Sequence, residues 1–490
     1  MSNTQSPLFD VKGYNFANDM ISFLNESCTA FHAVQATKER LLAAGYQQIL
    51  EKDEWMLEPG GKYFFTRAAT TCVAFTIPND IKTSTGTNSW GFSVLGAHSD
   101  SPCLRIKAVP CMDKQEYLML NTQPYGGGLW HTWFDRELGI AGRVLLKDPT
   151  TNAIVSELIR VDKPVARIPN LAIHLTRGDG ETPGVFKPNL QEHAKAIFTM
   201  KHDKKCRDME EGALFHPELI ELVREYVPSN MSTWEIVDME LQLIDVVPSC
   251  LGGNMNEFLL SGRLDNLCSS YQCMRAIIDA STTYDMKNVT STTSNTPLKQ
   301  SNIHVSVMFD HEEVGSASAQ GAGSQLFMDT LRRITDCLGD KSHQSFMRAL
   351  RNSLVVSVDM AHALHPNYTH KHCSTMAPKI NKGMVIKHNA NQRYATSSVS
   401  ATMFRRFAQL QDIPVQEFAI RSDGACGSTI GPIISTLTGI LTVDVGTPQY
   451  SMHSIREMMG SDDAYIGYMH LLGVFLHHPT VANEMKSLDI

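Results

Sequence analysis

The sequence lacks the features that mark several classes of protein. Eleven cysteines occur among 490 residues, but none form a C-x-x-C pair, so neither a disulfide framework nor a thiolate zinc site is indicated. No apolar run is long enough to span a bilayer, and the first residues, MSNTQSPLFDVKGYNF, show no secretory signal pattern. The formal net charge of -8 comes without a dominant basic face. We therefore expect a cytoplasmic protein with reduced thiols and no nucleic acid or membrane partner.

The length of the chain predicts more than one domain, because a single hydrophobic core seldom serves 490 residues. Between residues 106 and 248 the sequence changes to short β-like pieces separated by Gly, Pro and charged residues. We interpret 106–248 as an inserted, mostly β domain. The catalytic domain is then expected to be split into residues 1–105 and 249–490.

Three apolar runs that end in polar residues predict the fold class. They read WGFSVLGAHSD (90–100), NIHVSVMFDHEEVGS (302–316) and SLVVSVDMAH (353–362). Near-continuous apolar runs are typical of strands that are buried on both faces, as in parallel sheets. We therefore predict an α/β fold with a mixed, largely parallel sheet that is flanked by helices.

Other segments predict the elements around this sheet. Residues 15–46 have the apolar spacing of one or two opening helices, and YFFTRAATTCVAFTIP is typical of a hairpin. ATSSVSATMFRRFAQLQD predicts a later helix. The charged segment 201–212 and the polar tract 281–302 are interpreted as solvated loops.

Polar residues follow the apolar runs or lie in glycine-rich segments. Each Asp or Glu alone is most often a helix cap or a solvated loop residue, but their joint recurrence favours a metal site. Imidazole with carboxylate suits Zn²⁺ best, and Co²⁺ or Mn²⁺ would accept similar ligands. We expect a two-metal hydrolase site in which Asp265 bridges the ions. The candidate ligands are His98, Asp265, Glu312, Glu313, Asp359 and His453.

Two pairs of neighbouring residues suggest supporting roles. In an extended chain the adjacent Glu312 and Glu313 point to opposite faces, so one should bind metal while the other acts as general base. These residues alone leave open which is which. Asp100 lies two residues after His98, on the same face of a strand, and is expected to accept the imidazole N–H. The alternative is a His and an Asp that cap a turn.

Taken together, the motifs resemble the aspartyl aminopeptidases, a family of dinuclear metallo-exopeptidases. The similar blocks extend in order from about residue 15 to 475 and include GAHSDSPCLRIK, YGGGLWHTWFDREL, SGRLDN, FDHEEVGSASAQGAGS, SVDMAHALHPNY, MAPKINKGMVIKHNANQRYAT, RSDGACGSTIGPI and GTPQYSMHSIREMMG. The resemblance implies a zinc-exopeptidase-like fold with Glu312 as general base and Asp100 as the residue that orients His98. It implies that two zinc ions per subunit, sharing Asp265, are bound by His98, Asp265, Glu313, Asp359 and His453.

The resemblance also implies peptide substrates with an amino-terminal Asp or Glu, which requires a cation in the substrate pocket. Candidate cations are Lys379, Lys382, Lys387, His388 and Arg393. The family position selects Lys387. The other implied substrate-binding residues are His174, Glu312, Asp359, His362 and Tyr394. Of these, His174 matches a position that reaches into the site of a neighbouring subunit.

The same family implies an assembly and a destination. Its inserted domain, similar in place to residues 106–248, mediates dimerisation, and the dimers assemble into a hollow tetrahedral dodecamer. Some relatives are vacuolar cargo, so delivery to a vacuole or lysosome is compatible with a cytoplasmic protein. Two rival functions are a dinuclear exopeptidase of different specificity and a non-catalytic scaffold of the same fold. Because every ligand position holds a competent residue, the sequence favours the enzyme over the scaffold.

Overall fold

The computed structural model describes residues 11–79, 81, 90–176, 186, 188–201, 214–287, 302–338, 341–485 and 487. Its helices are α1 (Val11–Glu26), α2 (Ala30–Ala43), α3 (Leu190–His193), α4 (Pro217–Arg224), α5 (Leu264–Lys287), α6 (Leu326–Cys337), α7 (His343–Arg351), α8 (Ser398–Gln411), α9 (Ile430–Thr438) and α10 (Ser461–Glu484). Its strands are β1 (Gln47–Gln48), β2 (Lys62–Arg67), β3 (Thr71–Thr76), β4 (Phe92–His98), β5 (Cys103–Lys114), β6 (Tyr117–Tyr125), β7 (Leu138–Lys147), β8 (Ile154–Ala166), β9 (Ala196–Met200), β10 (Glu235–Asp245), β11 (Cys250–Gly252), β12 (Phe258–Ser261), β13 (Ile303–Phe309), β14 (Leu354–Val358), β15 (Ala361–His362), β16 (Met384–His388), β17 (Val415–Ala419), β18 (Leu441–Gly446), β19 (Pro448–Tyr450) and β20 (Glu457–Gly460).

The two predicted solvated loops lie largely outside these residues. Of the tract 281–302, residues 281–287 are described and are helical, because α5 continues to Lys287. The loop prediction is therefore wrong for those seven positions. Within the described part of the chain, no helix has the length and apolar character needed to cross a membrane.

The central sheet is mixed and largely parallel, as predicted. Its strand order is β1-β2-β3-β13-β4-β14-β18-β16-β17. Strand β4 lies in the middle, and β13 and β14 run parallel to it on either side. The antiparallel pairs are β2 with β3, β3 with β13 and β16 with β18. The carboxyl ends of β4, β13 and β14 therefore meet at one edge of the sheet.

Helices cover both faces of this sheet, which explains why its strands are apolar throughout. Successive side chains of a strand point to opposite faces. On β4, Leu95 and Ala97 pack in a core with α1, α2, α5, α8 and α10. Phe92 and Val94 pack in a second core with α6, α7 and α9. The predicted layer of flanking helices is confirmed.

The smaller elements predicted around the sheet are also present. The opening segment forms two helices, α1 and α2, and β2 with β3 forms the expected antiparallel hairpin. Helix α8 begins after Ser397, whose side chain accepts the N–H of Ser400 in a reciprocal capping box. It ends where Asp412 adopts a left-handed conformation, with φ of 52°. A further small sheet has the order β11-β12-β20-β19-β15.

The chain divides into two compact units. The first comprises Met1–Asp100, Ser249–Met452 and Glu457–Ile490, and the second comprises Ser101–Pro248 and His453–Arg456. The second unit contains an antiparallel sheet with the order β8-β7-β10-β5-β6-β9. Helix α4 contributes Leu219 and Val223 to the core of that unit. The boundary predicted at residue 106 falls inside β5, since that strand begins at Cys103.

Candidate metal centre

Three neighbouring strands of the central sheet end beside candidate metal ligands. His98 is the last residue of β4, and Asp359 directly follows β14. Phe309 ends β13 in register with His98, and Glu312 begins a short 3₁₀ turn three residues later. Because the three strands are parallel, their polar successors lie at the same edge of the sheet.

His98, Asp265 and Asp359 form a first group of buried donor atoms, all within 4.8 Å of one another. His98 Nε2 lies 3.4 Å from Asp265 Oδ1 and 3.6 Å from Asp359 Oδ1. The three residues are 1%, 4% and 9% exposed, so water screens their charges poorly. An imidazole nitrogen with two carboxylates is a donor set that zinc accepts. Buried carboxylates that lie close together also need a nearby cation, because burying an unpaired charge is costly.

Glu312 and Glu313 form a second group with His98. They lie in the 3₁₀ turn Glu312–Val314, which is preceded by His311 in a left-handed conformation with φ of 64°. The prediction that this pair is extended is therefore wrong. Ligand atoms of both glutamates lie within 4.8 Å of one another and of His98, and Glu312 Oε2 is 3.8 Å from His98 Nε2. Both side chains reach the group, and the division of their roles stays a prediction.

Asp100 supports this centre in a way that the sequence only partly suggested. Strand β4 ends at His98, so Asp100 lies beyond the strand, and His98 Nδ1–H donates to the main-chain oxygen of Asp100 at 3.0 Å. The Asp100 carboxylate is 3.4 Å from the same nitrogen. Its two oxygens accept the main-chain N–H groups of Glu312 and Glu313, each at 3.1 Å. Asp100 therefore contacts both the imidazole of His98 and the glutamate turn, and its orienting role stays a prediction.

Asp265 is held at the start of α5 by contacts that sequence reasoning missed. The backbone of Asp265 and Asn266 is not helical, and the peptide bond between them is cis. The N–H of Asp265 donates to Glu457 Oε2 at 3.1 Å, and Asn266 Nδ2 donates to the carbonyl of Val358 at 2.8 Å. The second bond ties this turn to the end of β14. Glu457 follows the segment YSMHSIR, but nothing local in the sequence connects it to Asp265.

Electrostatics in this centre favour a bound positive charge. Desolvation lowers the pKa of His98, but Asp100, Asp265, Asp359 and Glu312 outweigh it and raise the pKa well above its usual value. For Glu312, desolvation and neighbouring carboxylates raise the pKa to about 8, against the opposing effect of His98. Surroundings that hold a proton on a buried imidazole also attract a metal cation, and the two compete for the same nitrogen.

Lys387 is a buried cation beside the first group. It is 3% exposed and lies on β16, with Nζ 3.7 Å from Asp359 Oδ2 and 5.4 Å from the centre of the buried Tyr394 ring. His362, on β15, contacts Phe418 edge to face, with 5.9 Å between the ring centres. Desolvation and then Lys387 lower the pKa of His362. Lys387 therefore adjoins Asp359, and Tyr394 lies beside Lys387, while the substrate-binding roles of both residues stay predictions.

The other cations of the segment KINKGMVIKHNANQR have different surroundings. Its two remaining lysines, at 379 and 382, are exposed. His388 is hydrogen-bonded to Glu417, and Arg393 donates to main-chain carbonyls of a neighbouring loop. Among the predicted candidates, Lys387 is the buried one with a contact to a predicted ligand.

Two predicted site residues belong to the second unit. His174 is exposed in the 3₁₀ turn Ile173–Leu175. His453 has a left-handed φ of 65°, its Nδ1–H donates to the carbonyl of Gly127 at 2.6 Å, and its own carbonyl accepts the N–H of Leu129 at 2.9 Å. A hydrogen bond at Nδ1 selects the tautomer in which Nε2 can bind a metal. The roles of both histidines stay predictions.

Comparison with known proteins places these observations in a family. Residues 23–475 match the family described as aminopeptidase I zinc metalloprotease (M18). A probable aspartyl aminopeptidase of Ricinus communis is 43% identical, over 95% of this chain and 96% of its own length. An aspartyl aminopeptidase of Aspergillus oryzae is 39% identical, over 97% of each chain.

Solved structures give the same result for the fold. The cryo-EM structure of the Ape4 and Nbr1 complex contains a chain that is 36% identical, with a TM-score of 0.87 over 98% of this chain and 88% of its own. The S. cerevisiae mApe1 dodecamer is 28% identical, with a TM-score of 0.81 over 97% of this chain and 99% of its own.

Proposed function

This chain belongs to the M18 family of aminopeptidase I zinc metalloproteases, and we propose that it is an aminopeptidase that removes Asp and Glu from the amino termini of peptides. One observation carries the specificity: a buried lysine, Lys387, lies 3.7 Å from Asp359 at the edge of the candidate metal centre. A carboxylate side chain of the substrate would pair with that ammonium group. The two curated relatives described above are named for aspartyl substrates.

For the metal, we assign two zinc ions per subunit to His98, Asp265, Glu313, Asp359 and His453, with Asp265 shared. The donor set supports this assignment, since imidazole nitrogens and carboxylate oxygens are zinc ligands, and Co²⁺ or Mn²⁺ would accept the same atoms. When bound, such ions lower the pKa of the attacking water and polarise the scissile carbonyl.

The protein's own side chains then transfer the proton and bind the substrate. Glu312 takes the proton of the attacking water and delivers it to the leaving amine. Asp100 keeps His98 and the glutamate turn in position through the hydrogen bonds described above. Lys387 pairs with the acidic side chain of the substrate, and Tyr394 packs beside it. His362 lines the same region of the first unit.

Assembly and location extend the proposal. We propose a homo-dodecamer, which is the state of the S. cerevisiae relative. In that assembly the exposed His174 would reach the site of a neighbouring subunit, and the second unit would mediate dimerisation. We also propose a cytoplasmic location, and fractionation of the native cells would test it.

The test is hydrolysis of Asp-, Glu-, Leu- and Ala-anilides by the purified protein, before and after chelation and after zinc is restored. Cleavage that favours Asp and Glu, stops with chelator and returns with zinc is the expected result. A preference for Leu would retain the metal site but contradict the specificity. Full zinc content without any cleavage would contradict the enzyme and favour a scaffold.

A further inference from the structure

Asp444 is a buried carboxylate that none of the roles assigned above explains. It lies on β18 and is 0% exposed, between β14 and β16 in the central sheet. Its register partner on β14 is Ser357. On the other side, Val385 pairs with Gly446 and Ile386 with Val445. Lys387 follows Ile386 on β16 and Asp444 precedes Val445 on β18, so both residues lie next to the last pair of this antiparallel register.

The two carboxylate oxygens of Asp444 hold two separate segments. Oδ2 accepts the N–H of Ala395 at 2.6 Å, and Ala395 directly follows Tyr394. Oδ1 accepts the hydroxyl of Thr429 at 2.6 Å, and Thr429 is the N-cap residue of α9. The main-chain N–H of Asp444 also donates to the hydroxyl of Thr396, at 3.0 Å. One side chain therefore fixes the turn that carries Tyr394 and the loop that leads into α9.

The close packing around this carboxylate leaves it little freedom. A Cβ atom added to Gly431, in the first turn of α9, would lie 2.3 Å from both carboxylate oxygens of Asp444. The positive end of that helix therefore approaches the carboxylate as nearly as a glycine allows. Burial raises the pKa of the Asp444 carboxyl, and the hydrogen bonds from Thr429 and Ala395, together with Lys387, oppose this rise.

We propose that Asp444 is a positioning residue for substrate specificity, which sets Lys387 and Tyr394 in the geometry that receives an acidic side chain; this inference rests on the proposed function. Asp359 is the other carboxylate near Lys387, but its proposed role is to bind metal. Asp444 is then the buried carboxylate that anchors the turn of Tyr394, whose ring lies 5.4 Å from Lys387 Nζ.

Asp444→Asn tests the proposal, because asparagine keeps the shape but removes the charge and one acceptor. We expect KM for Asp-anilide to rise about tenfold, the size expected when a hydrogen bond to a charged group is lost. Both kcat for Asp-anilide and the kinetics on Ala-anilide should stay within about twofold. An equal loss on the two substrates, or no change in their ratio, would overturn the proposal.

Asp463→Asn is the matched control. Asp463 is also buried, and its carboxylate accepts the main-chain N–H groups of Asn381 and Gly383, just before β16 begins. It does not hold the Tyr394 turn in any of these bonds, so the variant should lower stability without changing the ratio of KM values. If both variants change that ratio alike, Asp444 is merely structural.

A second pair of variants applies if Asp444→Asn does not fold. Thr429→Val removes the hydroxyl that donates to Asp444 and keeps the volume, so it should raise KM for Asp-anilide, whereas Thr429→Ser should keep the wild-type value. A wild-type protein without preference for acidic substrates would overturn the proposed function together with this inference. A wild-type preference that persists unchanged in Asp444→Asn and in Thr429→Val would overturn the inference alone.

Discussion

Buried histidines lie at both ends of β4, but the side chains around those histidines differ. At the carboxyl end, His98 Nε2 lies within 4 Å of three carboxylates, from Asp265, Glu312 and Asp359. At the amino end, the hydroxyl of Ser93 lies 2.8 Å from His478 Nδ1. Within the described residues, the hydrogen-bond partners of His478 Nδ1 are two neutral side chains, those of Ser93 and Asn302.

Because of this difference, the pKa values of equally buried imidazole rings shift in opposite directions. The pKa of His98 is raised well above its usual value by the neighbouring acids, in spite of desolvation. Desolvation lowers the pKa of His478 to about 4. The pKa of His304 falls to about 3, because of desolvation and the nearby His478. Burial alone therefore does not identify a metal ligand. What distinguishes the candidate centre is the group of acids around one imidazole, which comes from the ends of β13 and β14 and from the start of α5.

The largest expected effect tests that distinction directly. His98→Ala should lose bound zinc, and its hydrolysis of Asp-anilide should fall by at least about 10²-fold, since even the loss of a partner of a metal ligand has this size. The matched variant at the other end, His478→Ala, should lose stability but keep its zinc. Metal analysis and anilide kinetics on both proteins check this, and full zinc in His98→Ala would remove the contrast between the two ends.

Glu312→Gln tests the different roles proposed for the two glutamates at the carboxyl edge. The variant should retain zinc and fold but lose activity by about 10²–10⁴-fold, the usual contribution of a positioned acid–base group. Glu313→Gln should instead lose zinc, because we propose that residue as a ligand. Zinc content and anilide kinetics decide between them. Normal turnover in Glu312→Gln, or full zinc in Glu313→Gln, would contradict the proposed division of roles.

A smaller effect is expected from Lys387 on β16, which lies two strands from β14 in the same sheet. Lys387→Met should lower the preference for Asp-anilide over Ala-anilide by about tenfold or more, because it removes a charge-assisted hydrogen bond to the substrate. Lys382→Met is the control, since that lysine is exposed. The ratio of kcat/KM values for the two anilides is the measurement. An equal fall on both substrates would assign Lys387 to the support of Asp359 alone.

The parts of the carboxyl edge that depend on neighbouring residues in the sequence could be predicted. The apolar runs of β4, β13 and β14 predict strands, and the rule that ligands gather at their carboxyl ends predicts His98 and Asp359. The conformation of the glutamate pair was not predictable, because it depends on the left-handed turn at His311. Asp265 and Glu457 are 192 positions apart in the chain, and no periodicity encodes such a contact.

The smallest expected effect concerns the amino end of β4. Because its buried histidines are neutral, we expect the free energy of unfolding to depend on pH. A histidine whose pKa is lower in the folded chain takes up its proton more readily after unfolding, so acid favours the unfolded state. For His478 the loss begins as the pH falls below the usual value of 6.5 and continues to about 4. Between about pH 6.5 and 5 it should cost about 2 kcal/mol of unfolding free energy.

His478→Gln checks this, because glutamine retains an oxygen that can accept the bond from Asn302 but does not titrate. Urea unfolding at about pH 7 and about pH 5 should show a smaller loss of stability in the variant than in the wild type. The groups of the metal centre titrate alike in both proteins, so the difference between the proteins isolates the amino end. Equal losses would mean that the proton is taken up elsewhere. The neutral surroundings of His478 would then not explain why one end of β4 forms a metal centre and the other does not.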